Sequence, residues 1–184
     1  MTLRWMSYSG APALLVHRSA LRGWHGILER DDARPGTADF ADAEGGRWWI
    51  HDAFDFANPV THYDQLCGSF GDEYVRVLRV GGHDALAISD GSDVFAWWAE
   101  RMAIVANATR APSAEAWDAA AWRTVGELVV DDTALVLMNS SVHGGQILDG
   151  DEASAHEAVT LDLGRWRVES AQLDSVMVLR FVPC

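Results

Sequence analysis

The chain has 184 residues, 49% of them hydrophobic, with 27 acidic side chains against 14 basic ones and a formal net charge of −13. That length and apolar content suit one substantial core or two small fused ones. No stretch approaches the roughly 20 apolar residues of a membrane span, and nucleic acid is disfavoured as a direct partner because phosphate binding needs clustered cations.

Taken in chain order, the pattern is mostly β. Candidate strands cover residues 5–9, 12–17, 48–52, 74–80, 85–89, 102–108, 125–130, 134–139, 158–163, 165–173 and 176–182. The opening MTLRWMSYSG has one Arg but no apolar core or small-residue cleavage site, so it does not read as a signal peptide and a cytoplasmic protein is expected. Residues 19–22 suit a single helical turn. In YVRVLRV, Val75, Val77 and Val80 alternate with Arg76 and Arg79, and Gly81-Gly82 then supplies the positive φ of a tight hairpin leading into Ala85-Leu86-Ala87-Ile88. Asp131-Asp132 reads as a second hairpin turn, between Leu128-Val129-Val130 and Ala134-Leu135-Val136-Leu137. In the closing segment Trp166, Val168 and Ser170 share one face, opposite Arg165, Arg167 and Glu169. One helix interrupts the strands. Ser113 is a natural N-cap, Glu115 suits the positive helix end, and Trp117, Ala120 and Ala121 fall on one face.

The expected fold class is therefore mostly β: an antiparallel sandwich or barrel-like pair of sheets with one or two short helices, in a single domain over residues 1–184. The pattern also allows two similar halves, 1–95 and 125–184, linked by the helix near 113–123. GAPALLVHRSALRGWHG and DDTALVLMNSSVHGG share an apolar strand, a polar stretch and then His beside Gly.

Charge concentrates in residues 31–56, with seven acids (Asp31, Asp32, Asp39, Asp42, Glu44, Asp52, Asp55) against Arg34 and Arg47. Phe40, Trp48, Trp49, Phe54 and Phe56 are interleaved with them, and a second polar stretch adds Asp149, Asp151, Glu152 and Glu157 near His156. Aromatic anchors ringed by carboxylates suit capture of a basic protein partner. The candidate partner-binding residues are Asp39, Asp42, Glu44, Trp48, Trp49, Asp52, Asp55, Asp151 and Glu152, although Trp48 and Trp49 themselves read rather as closing one end of the core. Solubility alone would also account for the acidity.

Other chemistry is weakly supported. His62, Asp64 and Cys67 lie close together, but on strand geometry the thiol faces away from the other two, so Cys67 reads as a small buried hydrophobe. Ser140-Ser141 before His143 lacks the G-x-S-x-G context of a nucleophile elbow. The pairs His51-Asp52, His62-x-Asp64 and His83-Asp84 could offer metal ligands, yet no H-E-x-x-H, C-x-x-C or EF-hand loop is present. Gly81-Gly82 and Gly144-Gly145 lack the Lys and following helix of a phosphate-binding loop. Two cysteines make no disulfide framework. No catalytic residue, metal or cofactor is expected.

Several segments together carry a family resemblance. Tyr63-Asp64-Gln65-Leu66-Cys67 is similar to a "DYDRAC"-like box, and Val80-Gly81-Gly82-His83-Asp84-Ala85-Leu86-Ala87-Ile88-Ser89-Asp90 to a "VLPVGGGEALVLGDEP"-like hairpin. Both belong to the immunity protein 21 group of bacterial polymorphic-toxin systems. Trp5 through Val16 resembles the group's "W-x-x-x-GGPLILL" start, Trp24-His25-Gly26 its "W-x-G", Trp97-Trp98 a Trp pair after the hairpin, and VTLDLGRWRVE its "V-x-L-x-x-G-x-Y/W-x-V" ending. The resemblance implies a non-catalytic protein that binds and neutralises a cognate toxin. Given the charge, the expected mechanism is occlusion of a basic toxin domain, a nuclease, with carboxylates standing in for substrate phosphates. Residues 29–59 match the group least, so no binding residue carries over by position. The alternative is a β-barrel that binds a small apolar or aromatic molecule among its nine Trp.

Overall fold

The computed structural model describes residues 3, 5–7, 11–26, 40–41, 62–89, 94–106, 110–150 and 156–184. Within them, twelve strands form two six-stranded antiparallel sheets. The first sheet contains β1 (Met6–Ser7), β6 (Val94–Trp98), β7 (Ala103–Ala106), β12 (Val176–Pro183), β11 (Gly164–Leu173) and β8 (Arg123–Val130), in that spatial order. The second runs β10 (His156–Thr160), β9 (Ala134–Asn139), β2 (Ala13–His17), β5 (His83–Ile88), β4 (Val75–Val80) and β3 (Phe40–Ala41). Neither sheet closes on itself, so the architecture is a sandwich and not a barrel.

Alternation of side chains across each strand builds three apolar layers. Between the sheets, Leu15, Leu86, Ile88 and Leu137 meet Phe95, Ile104, Trp166, Val168, Leu179 and Phe181. On the outside of the second sheet, Leu14, Val16, Ala87, Val136 and Met138 pack under Leu21, Trp24, Leu66 and Ile147. Those four come from a 3₁₀ helix (Arg18–Gly23) and the residue after it, from α1 (His62–Ser69) and from α3 (Gly144–Asp149). On the outside of the first sheet, Ala96, Val105, Leu173 and Val178 pack under Leu3 and Trp117, the latter from α2 (Ala114–Asp118). Both faces of β2 are therefore buried along its whole length, which is why it reads as an unbroken apolar run. Ser113 caps α2 as expected, accepting the Ala116 N–H at 3.1 Å.

Several expectations are corrected. Residues 62–69 are helix, not extended chain. Its buried residues are His62, Asp64, Gln65 and Leu66, so three of the four are polar and no apolar periodicity announces the helix. Val80 lies on the opposite face of β4 from Val75 and Val77, sharing the outer layer with Leu78. Asp131-Asp132 is not a hairpin turn: β8 pairs with β11 in one sheet, whereas β9 pairs with β2 and β10 in the other, so the chain crosses between sheets there. The strand Val94–Trp98 was not anticipated, and the helix Gly144–Asp149 starts at a glycine pair that looked isolated. Cys67 is only half-buried.

Both long hairpins use two-residue turns with positive φ at each central residue. They are Gly81 (57°) and Gly82 (87°) between β4 and β5, and Asp174 (49°) and Ser175 (69°) between β11 and β12. Left-handed backbone costs L-residues about 1 kcal/mol each. Replacing Asp174-Ser175 by Asn-Gly is thus expected to stabilise the protein by about 1 kcal/mol, a rise in Tm of about 2–4 °C for a chain of this size. Thermal denaturation checks it, and an unchanged or lower Tm would show that the native turn carries no such strain.

Candidate functional site

Two loops with the same His-Gly ending meet beside the second sheet. After the 3₁₀ helix the chain reads Trp24-His25-Gly26, and after β9 it reads Val142-His143-Gly144. The Gly144 N–H donates to the Trp24 carbonyl at 2.8 Å, and the Trp24 indole N–H donates to the Ser140 carbonyl at 2.9 Å. Gly26 is required here: its φ is +60°, and a Cβ would stand 2.3 Å from the Ser141 carbonyl oxygen. The first residues of α1 join the same point, because the His25 N–H donates to His62 Nδ1 at 3.0 Å and the Tyr63 N–H to the Gly26 carbonyl at 3.1 Å.

Three imidazoles form a chain through this junction. Gly145 N–H donates to His143 Nδ1 at 3.0 Å, so the neutral ring carries its proton on Nε2 and presents it to His25 Nδ1 at 3.2 Å. The His25 ring lies 5.2 Å from that of His62, which lies 5.2 Å from Trp24. Gln146 completes the device by accepting the His143 N–H, a reciprocal cap for α3. These contacts hold two loops and a helix together in one junction.

The junction also gathers the ends of acid-rich segments. Gly26 and His62 flank residues 27–61: Gly26 lies against Ser141, and His62 lies against His25 and Trp24, whose indole bonds Ser140. Ser140 in turn donates its N–H to Pro12, and the neighbouring Ala13 pairs with Ile88, one residue before Ser89, which precedes residues 90–93. His156, which follows residues 151–155, pairs with Met138 at the same end of β9. The three segments 27–61, 90–93 and 151–155 hold twelve of the 27 acidic residues but three of the 14 arginines. All nine candidate partner-binding residues, Asp39, Asp42, Glu44, Trp48, Trp49, Asp52, Asp55, Asp151 and Glu152, fall in these segments and lie outside the described residues.

Other sequence candidates are placed as follows. Burial pushes the Cys67 thiol up, against a hydrogen bond with Tyr63 that acts the other way. Burial together with the neighbouring Cys67 and Asp64 raises the Tyr63 hydroxyl to about 12. Ser141 Oγ donates to Asn139 at 2.7 Å, while the His143 ring nitrogens engage Gly145 and His25. Asp84 bonds Arg79 at 2.8 Å and the Val129 N–H at 2.9 Å, so its role is to tie the β4–β5 hairpin to β8 across the sandwich. His83 turns instead toward Asp131 at 2.7 Å. His51-Asp52 lies outside the described residues. The seven described Trp are spread over all three apolar layers instead of lining one pocket: Trp97 and Trp166 between the sheets, Trp24 outside one, and Trp5, Trp98, Trp117 and Trp122 outside the other.

Comparison of the chain with protein-family models, curated proteins and solved structures finds no match. No helix among the described residues is long and apolar enough to cross a membrane.

Proposed function

We propose that this chain is an immunity-type protein, similar to the immunity protein 21 group, that binds a cognate bacterial toxin in the cytoplasm and neutralises it without turnover. The observation that carries the reading is that the acidic segments 90–93 and 151–155 and both ends of segment 27–61 attach at one end of the second sheet, while Phe40-Ala41 within the longest segment pairs with Val80 and Arg79 at the other end. Opposite fields steer a basic partner to such an end and raise its association rate. The aromatic side chains Trp48 and Trp49 would supply buried anchor area, and the carboxylates would occupy the surface with which a nuclease toxin holds phosphates. The dispersal of the seven described tryptophans over three layers weighs against the alternative of a small-molecule barrel.

Co-expression with the toxin-like C-terminal domain encoded by the adjacent upstream gene should restore growth, and the two chains should co-purify. If growth stays arrested or the chains elute apart, the reading is wrong. Charge reversal at Asp52 and Asp55 (Asp52→Lys with Asp55→Lys) should slow association by about tenfold or more and flatten its salt dependence. The same double variant should slow association more than it destabilises the fold. Stopped-flow association at two ionic strengths, beside thermal denaturation, separates the two effects.

A further inference from the structure

At the other end of β2, three chain segments bring His17, His83 and Asp131 together. His17 is the last residue of β2, His83 opens β5, and Asp131 follows β8. The two imidazoles stack, with centroids 4.7 Å apart and 29° between planes. Asp131 Oδ1 lies 2.7 Å from His83 Nδ1 and 3.5 Å from His17 Nδ1. One ligand atom from each residue falls within 4.8 Å of the other two.

The side chain of His17 is the unusual member. It is fully buried, and neither ring nitrogen has a hydrogen-bond partner. The Val129 backbone acts on the ring to raise its pKa, too weakly to offset burial. A buried polar group without a partner is expensive, on the order of 1–3 kcal/mol, and calls for an explanation. Burial lowers the His17 pKa, with the neighbouring His83 acting in the same direction against Asp131.

We propose that His17, His83 and Asp131 form a binding site for a single first-row divalent cation of the Zn²⁺ class. Two imidazoles and one carboxylate are borderline ligands of the type such ions prefer. Bonds of about 2.0–2.2 Å in tetrahedral geometry set ligand atoms roughly 3.3 Å apart. The pair at 3.5 Å already fits, and the 2.7 Å pair opens slightly when the ion takes the place of the hydrogen bond between His83 and Asp131, with the ring proton of neutral His83 residing on Nε2. Ser19 Oγ, 3.5 Å from His83 Nε2, is placed to orient that ring through its second nitrogen. Asp131 is half exposed, and a cleft of about 450 Å³ bordered by Arg18, Ser19, Arg22 and Asp132 adjoins the cluster.

Titration of the purified chain with ZnCl₂, followed by calorimetry and metal analysis after gel filtration, tests the site. One equivalent should bind. His83→Ala and Asp131→Ala, both at positions open to solvent, should each weaken binding by at least about tenfold. His143→Ala, in the other histidine cluster, should leave the affinity unchanged. Co²⁺ bound to the unsubstituted protein should show the visible bands of a four-coordinate ion, a readout that does not depend on any variant folding. Failure to bind one equivalent, affinity unchanged in either ligand variant, or affinity lost in His143→Ala would each overturn the proposal.

Discussion

Gly144→Ala is expected to destabilise the protein by about 3–5 kcal/mol, enough to leave much of it unfolded at physiological temperature. A Cβ at this position would stand 1.9 Å from the Leu21 carbonyl oxygen, 2.7 Å from its carbon and 3.0 Å from Cα. These are backbone atoms of the 3₁₀ helix, and they cannot swing aside as a side chain can. Relief would require the helix to lift off the sheet, breaking the Gly144 N–H bond to Trp24 at 2.8 Å and unseating Leu21 and Trp24, both fully buried. Gly126→Ala is the matched control. Its Cβ would meet only Val77 Cγ2, at 3.1 Å, and about 1 kcal/mol or less should be lost. Urea denaturation followed by tryptophan fluorescence measures both. Equal midpoints for Gly144→Ala and the unsubstituted protein would mean that the two loops do not meet as described.

Glu169→Gln should cost about 2–3 kcal/mol at neutral pH and progressively less in acid. Glu169 is 8% exposed and sits opposite Arg180 across the β11–β12 ladder, just after the register shift in the pairing of β11 with β8. It accepts from Arg167 Nε at 2.8 Å and from Arg180 Nε at 2.7 Å, while the Arg180 guanidinium lies 4.1 Å over Trp122. A Gln would keep one acceptor oxygen and turn an N–H₂ group against a guanidinium, leaving the cation without its counter-charge. Burial pushes this carboxyl up, but the two arginines outweigh burial and hold it below its ordinary value of 4.5. A carboxylate whose folded pKa is depressed contributes its full stability above the unfolded value. That contribution fades as pH falls through the folded value. The gap between the two proteins should therefore be constant from pH 7 down to about 5, shrink below about 4.5, and close once Glu169 is protonated in the folded state. A gap of the same size at pH 3 and pH 7 would assign the effect to packing and not to charge.

Local chemistry made part of this fold legible. The hairpin at Gly81-Gly82 was readable because only a few residue types accept two successive positive φ values. The cap of α2 was readable because Ser113 and Glu115 do their work within one turn. Helix α1 was hidden because three of the four residues it buries, His62, Asp64 and Gln65, are polar, so no apolar periodicity marks it. Helix α3 was hidden because Gly144-Gly145 is a poor helix start, and the requirement for Gly144 arises from Leu21, more than 120 residues earlier. The two histidine clusters were equally hidden. His17 ends an apolar strand and Asp131 sits in an apparent turn, and nothing in either neighbourhood points to the other.

The amino-acid sequence by itself determined the β content, most of the strand positions, the hairpin at Gly81-Gly82, one capped helix and the placement of acid in a few segments. Each of these rests on periodicity, φ preference or charge within a window of a few residues. Tertiary structure alone decided which sheet each strand joins, and hence that Asp131 crosses the sandwich and does not close a hairpin. It also decided that His25, His62 and His143 meet at one end of β2 while His17, His83 and Asp131 meet at the other. The physical reason is that a strand buried on both faces, as β2 is, has no polar edge in its sequence to say which neighbour lies on which side. That choice is made by packing the whole chain at once.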